Sequence, residues 1–177
     1  MKKRLLIIVT LDTKGKEAEY ARSIAQQNGI DTVLMDVGTM GKPFVIPDIT
    51  SDAVAEAGGY ALETFKNGSN RFGAVKAMEE GGAIIAKSLV DQGIVGGVFG
   101  MGGGTGTAIA TFIMRTLPFG MPKVVVSTVA SRDIRQYIGT KDIAMFHSVA
   151  DILGTNEFIR HMIGQAVFAV CGMMQYG

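Results

Sequence analysis

A chain of 177 residues with a formal net charge of +1 has the length of one domain and room for a substantial core. That near-neutral balance gives no electrostatic footing for nucleic acid or for an anionic membrane. One cysteine, Cys171, and two isolated histidines, His147 and His161, exclude an internal disulfide and argue against a cysteine- or histidine-built metal site. Hydrophobic residues make up 47% of the chain and eleven are methionine, so part of the surface is expected to be covered by another subunit or domain.

Met-Lys-Lys-Arg is followed by Leu5 to Val9. This aliphatic run is too short for the apolar core of a signal peptide and has the pattern of a strand buried on both faces. Thr10 to Gly15 reads as a polar loop, and Glu17 to Gln27 as a helix with Ala18, Ala21, Ile24 and Ala25 at helical spacing and Gly29 as its C-cap. Thr32 to Val37 is a second strand. This β-α-β opening favours an α/β fold.

Gly38 to Thr50 is broken by Gly41, Pro43 and Pro47 and reads as a long loop. A short helix over Asp52 to Ala57, further turns to Phe65, a turn at Asn67-Gly68 and a long helix from Phe72 to Gln92 follow. The Gly81-Gly82 pair is expected to bend or weaken that helix. So long an insertion suits either a segment that covers a site or a structural appendage.

Ile94 to Thr107 is the stretch around which the rest is organised. A Val-, Ile- and Phe-containing run reads as a buried strand, and glycines at 100, 102, 103, 104 and 106 interrupt it before a helical pattern from Ala108 to Leu117. Glycine here permits positive φ and lets backbone N–H groups converge on an anion, a helix start near Thr105 adds donors and a positive dipole end, and Thr105 and Thr107 supply a cap or a hydroxyl. The dinucleotide fingerprint fails at its third glycine, no Gly-Lys-Ser or Gly-Lys-Thr follows, and close strand-to-helix packing is the competing explanation. The 22 residues from Gly93 to Met114 carry no charge, but eight are glycine, which argues against a membrane helix.

Lys123 to Ser127 is a fourth strand, Asp142 to His147 a fifth, and Asn156 to Met174 a closing apolar helix. Thr10 to Lys14, Gly100 to Thr107 and Ser127 to Asp133 then fall at strand carboxyl ends, where open parallel sheets place their ligands. Lys14 is a phosphate candidate or a solvated lysine; Asp36 a ribose acceptor or a cap. Ser127, Thr128 and Ser131 are phosphate donors or caps. Asp12, Asp133 and Asp142 are candidate magnesium ligands with no spacing to distinguish them. His147 reads as a core histidine. There is no Gly-x-Ser-x-Gly elbow and no evident acid–base pair, so no catalytic residues are assigned.

Leu11-Asp12-Thr13-Lys14-Gly15 with Glu17, the Gly100–Thr107 glycine run, Ser127-Thr128-Val129-Ala130-Ser131 and Tyr137-x-Gly139-Thr140-x-Asp142-Ile143 resemble, in that order, motifs of the Tm-1-like ATP-binding family, also called UPF0261. The resemblance spans nearly the whole chain. Its implications are ATP binding with magnesium, dimerisation, and a chain about twice this long of which this is the N-terminal part. Carried over by position, the phosphate-contacting residues are Lys14 and Gly102 to Thr107, with Thr10, Ser127, Thr128 and Ser131 around them. Where the family shows Ala-Ser-Gly-Asp this chain has Ala130-Ser131-Arg132-Asp133, so Arg132 is either a phosphate ligand or the mark of a changed site.

The reading is a single cytoplasmic, doubly wound (Rossmann or flavodoxin-like) α/β domain over residues 1–177, a three-layer sandwich with a parallel sheet ordered 2-1-3-4-5. Its expected ligands are ATP or a related nucleotide and magnesium, held by Thr10, Asp12, Lys14, Asp36, Gly100, Gly102, Gly103, Gly104, Thr105, Gly106, Thr107, Ser127, Thr128 and Ser131. A phosphoryl-transfer enzyme completed by a C-terminal domain, and an interaction domain with a purely structural glycine turn, are the alternatives. Its expected partners are a second copy and that C-terminal domain.

Overall fold

The computed structural model describes residues 2–65 and 70–176; the turn expected at Asn67-Gly68 lies outside the described residues. Five parallel strands, β1 (Arg4–Val9), β2 (Thr32–Asp36), β3 (Val95–Gly102), β4 (Lys123–Ser127) and β5 (Ala144–His147), form one sheet in the order β2-β1-β3-β4-β5. The helices are α1 (Leu11–Gln27), α2 (Ser51–Ala57), α3 (Arg71–Asp91), α4 (Gly104–Thr116), α5 (Arg135–Ile138) and α6 (Glu157–Tyr176). The α/β sandwich and strand order agree with the sequence reading.

Strand alternation divides the core. On β1, Leu5, Ile7 and Val9 join Phe99, Met101, Val124 and Val126 beneath α1 and α6, while Leu6 and Ile8 join Val98 and Val125 beneath α2, α3 and α4. Period two in a strand sends neighbouring side chains to opposite faces. Both faces here are covered, so β1 must be aliphatic at five successive positions. Each such fully buried side chain contributes about 1.5–3 kcal/mol.

Three local expectations change. The polar segment after β1 is the first turn of α1 and not a loop, separated from the rest of that helix by a non-helical Lys14 (φ −131°, ψ 29°). The insertion is the β2-to-β3 crossover itself. Its Gly81-Gly82 pair sits inside one continuous helix, where a Cβ at Gly81 would overlap the Val54 carbonyl and one at Gly82 the Ile113 side chain. These glycines let α3 close onto α2 and α4. Finally, the long loop returns beside edge strand β2, where Asp36 N–H donates to Ile49 O (2.9 Å) and Ile49 N–H to Leu34 O (3.0 Å), so that edge is not left open to another chain.

Candidate functional site

Strand order reverses between β1 and β3, so the crevice of a doubly wound sheet opens between their carboxyl ends. Two helices begin there, and the first few N–H groups of each lack intrahelical acceptors. In α1 the Leu11 and Thr13 donors are engaged within the chain. Asp36 Oδ1 accepts from Leu11 N–H (3.0 Å) and Gly38 N–H (2.8 Å), while Thr13 and Lys14 N–H donate to Thr10 O (3.2 and 2.9 Å). Asp36 is 1% exposed. Burial pushes its pKa up, opposed by those two amides and reinforced by Asp12. Of the two readings of Asp36, these bonds are those of the cap: it faces the chain's own backbone because it terminates a buried strand beside a helix start.

The start of α4 is arranged differently. Its N-cap, Gly103, carries no side-chain acceptor, so no side chain at that position occupies the first-turn donors of Gly104, Thr105 and Gly106. The positive-φ argument for the glycine run is corrected, since none of the five glycines has positive φ. Two are explained by close packing: a Cβ at Gly100 would lie 2.7 Å from that of Ala110, and one at Gly102 2.7 Å from Gly106 Cα. Gly103 and Gly104 are not crowded. The nearest atom to a Cβ at 103 is Thr128 Oγ1 at 3.8 Å, and nothing lies within 4 Å of one at 104. Packing therefore accounts for the first part of the run and leaves open space over the helix start.

The hydroxyls divide in the same way. Thr107 and Ser127 are fully buried and bonded to each other (2.7 Å), with Thr107 also donating to Gly102 O (3.2 Å) and Ser127 accepting from Val129 N–H (3.1 Å). These two are corrected from ligand donors to ties between β3, α4 and β4. Thr10, Thr105 and Thr128 are half-buried and Ser131 is exposed. Thr10 is bonded to the Thr13 hydroxyl (2.9 Å). Thr105 accepts a hydrogen bond from Arg71 Nη2 (3.1 Å).

Arg71 is the residue that sequence reasoning missed. It opens α3, where a cation faces the unfavourable end of the helix dipole. That misplacement was the available signal, because a charge there needs another purpose. On the other side of the crevice, Lys14 Nζ donates to Ile152 O (2.6 Å) and is neither fully buried nor free. Close by, Val149 adopts φ 63°, a rare conformation for a β-branched residue.

The proposed magnesium ligands do not converge. Asp12 Oδ2 accepts from Met40 and Gly41 N–H (2.8 and 3.1 Å), while its Oδ1 is buried without a hydrogen bond. Asp133 pairs with Arg135 (2.6 Å). Asp142 stands at the opposite end of the sheet, bonded to buried Lys123 (3.0 Å) and Gly120 N–H (2.7 Å). Burial would raise the Asp142 pKa, but those bonds prevail and hold it low. Among the described residues no group of three or more His, Cys, Asp or Glu is placed to hold a metal, and no helix is long and apolar enough to cross a membrane. His147 is half-buried at the carboxyl end of β5 rather than in the core.

Fold and site together define a doubly wound α/β domain with an uncapped helix N-terminus at its topological switch point. Comparison with known proteins makes this specific. Residues 3–177 match the family model described as the N-terminal domain of the uncharacterised protein family UPF0261, and the chain belongs to that family. It is 39% identical to a UPF0261 protein of Clostridium tetani over 99% of this chain and 43% of that protein. It is 41% identical to one of Rhizobium meliloti over 97% and 42%, and 36% identical to the ToMV susceptible protein tm-1(GCR26) of Solanum lycopersicum over 77% and 15%. The chain thus spans about two fifths of the bacterial relatives' length.

Proposed function

We propose that this chain is a nucleotide-binding domain that holds ligand phosphates at the amino end of α4. The observation carrying the reading is the contrast between two neighbouring helix starts. The Leu11 and Thr13 donors of α1 are engaged by Asp36 and Thr10 O, while α4 begins at a glycine, with no such carboxylate bonded to its first turn, beside the Arg71 guanidinium. A helix N-terminus of that kind suits an anion. In this reading the N–H groups of Gly104, Thr105 and Gly106 donate to phosphate oxygens, Arg71 and the Thr105 hydroxyl add a charge-assisted contact, and Lys14 and Thr128 border the crevice. Magnesium travels with the nucleotide, carried on the phosphates and water as is usual for that ion. The domain binds the nucleotide, and any turnover is completed by the rest of the longer protein.

Calorimetric titration of magnesium-ATP into the wild type, Gly104→Glu and Arg71→Ala tests it. Position 104 has room for a side chain, and an acidic residue in a first helical turn favours the helix, so Gly104→Glu keeps its fold. We expect saturable binding by the wild type, loss of it in Gly104→Glu, and about tenfold weaker binding in Arg71→Ala, the loss of one charge-assisted hydrogen bond. Unchanged affinity in Gly104→Glu, or no binding by the wild type, overturns the assignment; the second outcome favours a structural glycine turn in an interaction domain.

A further inference from the structure

A second candidate cavity lies away from the glycine turn. It lies at the amino end of the sheet, has a volume of about 1180 Å³, and is lined by Lys3, Gly96, Met121, Met173, Met174 and Tyr176 among others. From this we infer that the cavity seats the region following this domain in the longer UPF0261 proteins, and that the seated surface is apolar at its centre and acidic where it meets Lys2 and Lys3.

Three observations select that occupant. First, the buried cation of the cavity wall is already spent. Lys123 Nζ is bonded to Pro118 O (2.7 Å), Met121 O (2.8 Å) and Asp142 Oδ1 (3.0 Å), and small-ligand pockets depend on a few such groups remaining available. Second, the walls suit a protein surface. Three methionines line the cavity, a flexible thioether surface that adapts to irregular partners, and Tyr176 on the last turn of α6 is 97% exposed. Met174 packs over Gly97 and the Lys3 stem over Gly96.

Third, the matched family model is an N-terminal domain, and the bacterial relatives carry more than half of their length outside the matched segment. In those proteins the chain continues from the end of α6, whose final turn forms one wall. A tethered partner is held at an effective concentration on the order of millimolar, so a modest surface is enough to dock it. The rim bears Lys2 and Lys3, both exposed, which makes carboxylates the complementary charge.

The test uses the full-length protein. Zero-length coupling of amines to carboxylates, read by mass spectrometry, should join Lys2 or Lys3 to Asp or Glu residues beyond this domain within one polypeptide. Hydrogen exchange in the same protein should be at least about tenfold slower at residues 118–123 and 172–176 than in a Met173→Glu variant, since docking suppresses local opening. Position 173 is partly exposed, and the variant's fold is checked by its circular dichroism. Absence of such cross-links, or equal exchange in the two proteins, overturns the inference. So do cross-links formed only between copies, which would make the cavity a dimer interface. Magnesium-ATP binding at the opposite end of the sheet is measured separately and stands or falls on its own.

Discussion

The two ends of the sheet treat the same kinds of residue in opposite ways. At the amino end, Lys123 is 0% exposed and its ammonium meets two carbonyls and a carboxylate. At the carboxyl end, Lys14 rests on one carbonyl, Arg71 rests on one hydroxyl, and the α4 start has no side-chain cap. A buried charge fully paired within its own chain is scaffold. A half-paired charge beside unsatisfied donors retains the capacity to bind something else. The glycines divide by packing instead, with Gly81, Gly100 and Gly102 crowded and Gly104 open.

Substitutions at the two ends should separate accordingly. The largest effect is expected for Lys123→Ala, which leaves two carbonyls and Asp142 without their cation. Urea denaturation should show a loss of about 3–5 kcal/mol, and a loss below about 1 kcal/mol would place Lys123 with the surface charges. Gly81→Ala forces α3 away from the Val54 carbonyl and should cost about 1–3 kcal/mol, seen as a lower Tm. Lys14→Ala should cost only about 1 kcal/mol of stability while weakening magnesium-ATP binding; a stability loss as large as that of Lys123→Ala would erase the contrast.

Asp36 gives a pH-dependent comparison. Its folded-state pKa is raised by burial above the unfolded value, so the folded state favours the protonated form. Its contribution to stability is fully present below the unfolded pKa and is lost as pH rises through the folded one. Asp36→Asn keeps an acceptor for Leu11 and Gly38 and removes the buried charge. It should be at least as stable as wild type at neutral pH, with the advantage shrinking as the pH falls through the raised folded-state pKa and gone below about pH 4, the unfolded value. A wild type that outperforms it at neutral pH would mean that the charge, and not the shape, holds the α1 start. The smallest effect belongs to Gly104→Ala, a gain of up to about 1 kcal/mol in thermal unfolding, opposite in sign to Gly81→Ala.

Much of the fold was legible because hydrophobic period and glycine placement are local signals. Five successive aliphatic residues at Leu5–Val9 imply a strand covered on both faces, and the alternation of strands with helical segments implies a parallel sheet. The site was legible only as a neighbourhood. Thr107 and Ser127 have the same residue types as phosphate ligands, yet they turn toward each other because β3 and β4 are paired at Gly102 and Ser127. Asp36, open between ribose acceptor and cap in the sequence, makes the bonds of a cap. Arg71, far away in sequence, reaches the glycine turn only because α3 crosses back over the sheet.

Composition and pattern by themselves thus determined the layer order, the strands and the end of the sheet at which polar, small residues gather, since each depends on spacing along the chain. Which donors remain unspent was decided by tertiary structure. Whether an N–H group, a hydroxyl or a lysine is satisfied depends on which distant segments fold against it, and residues far apart in the chain meet at these two ends.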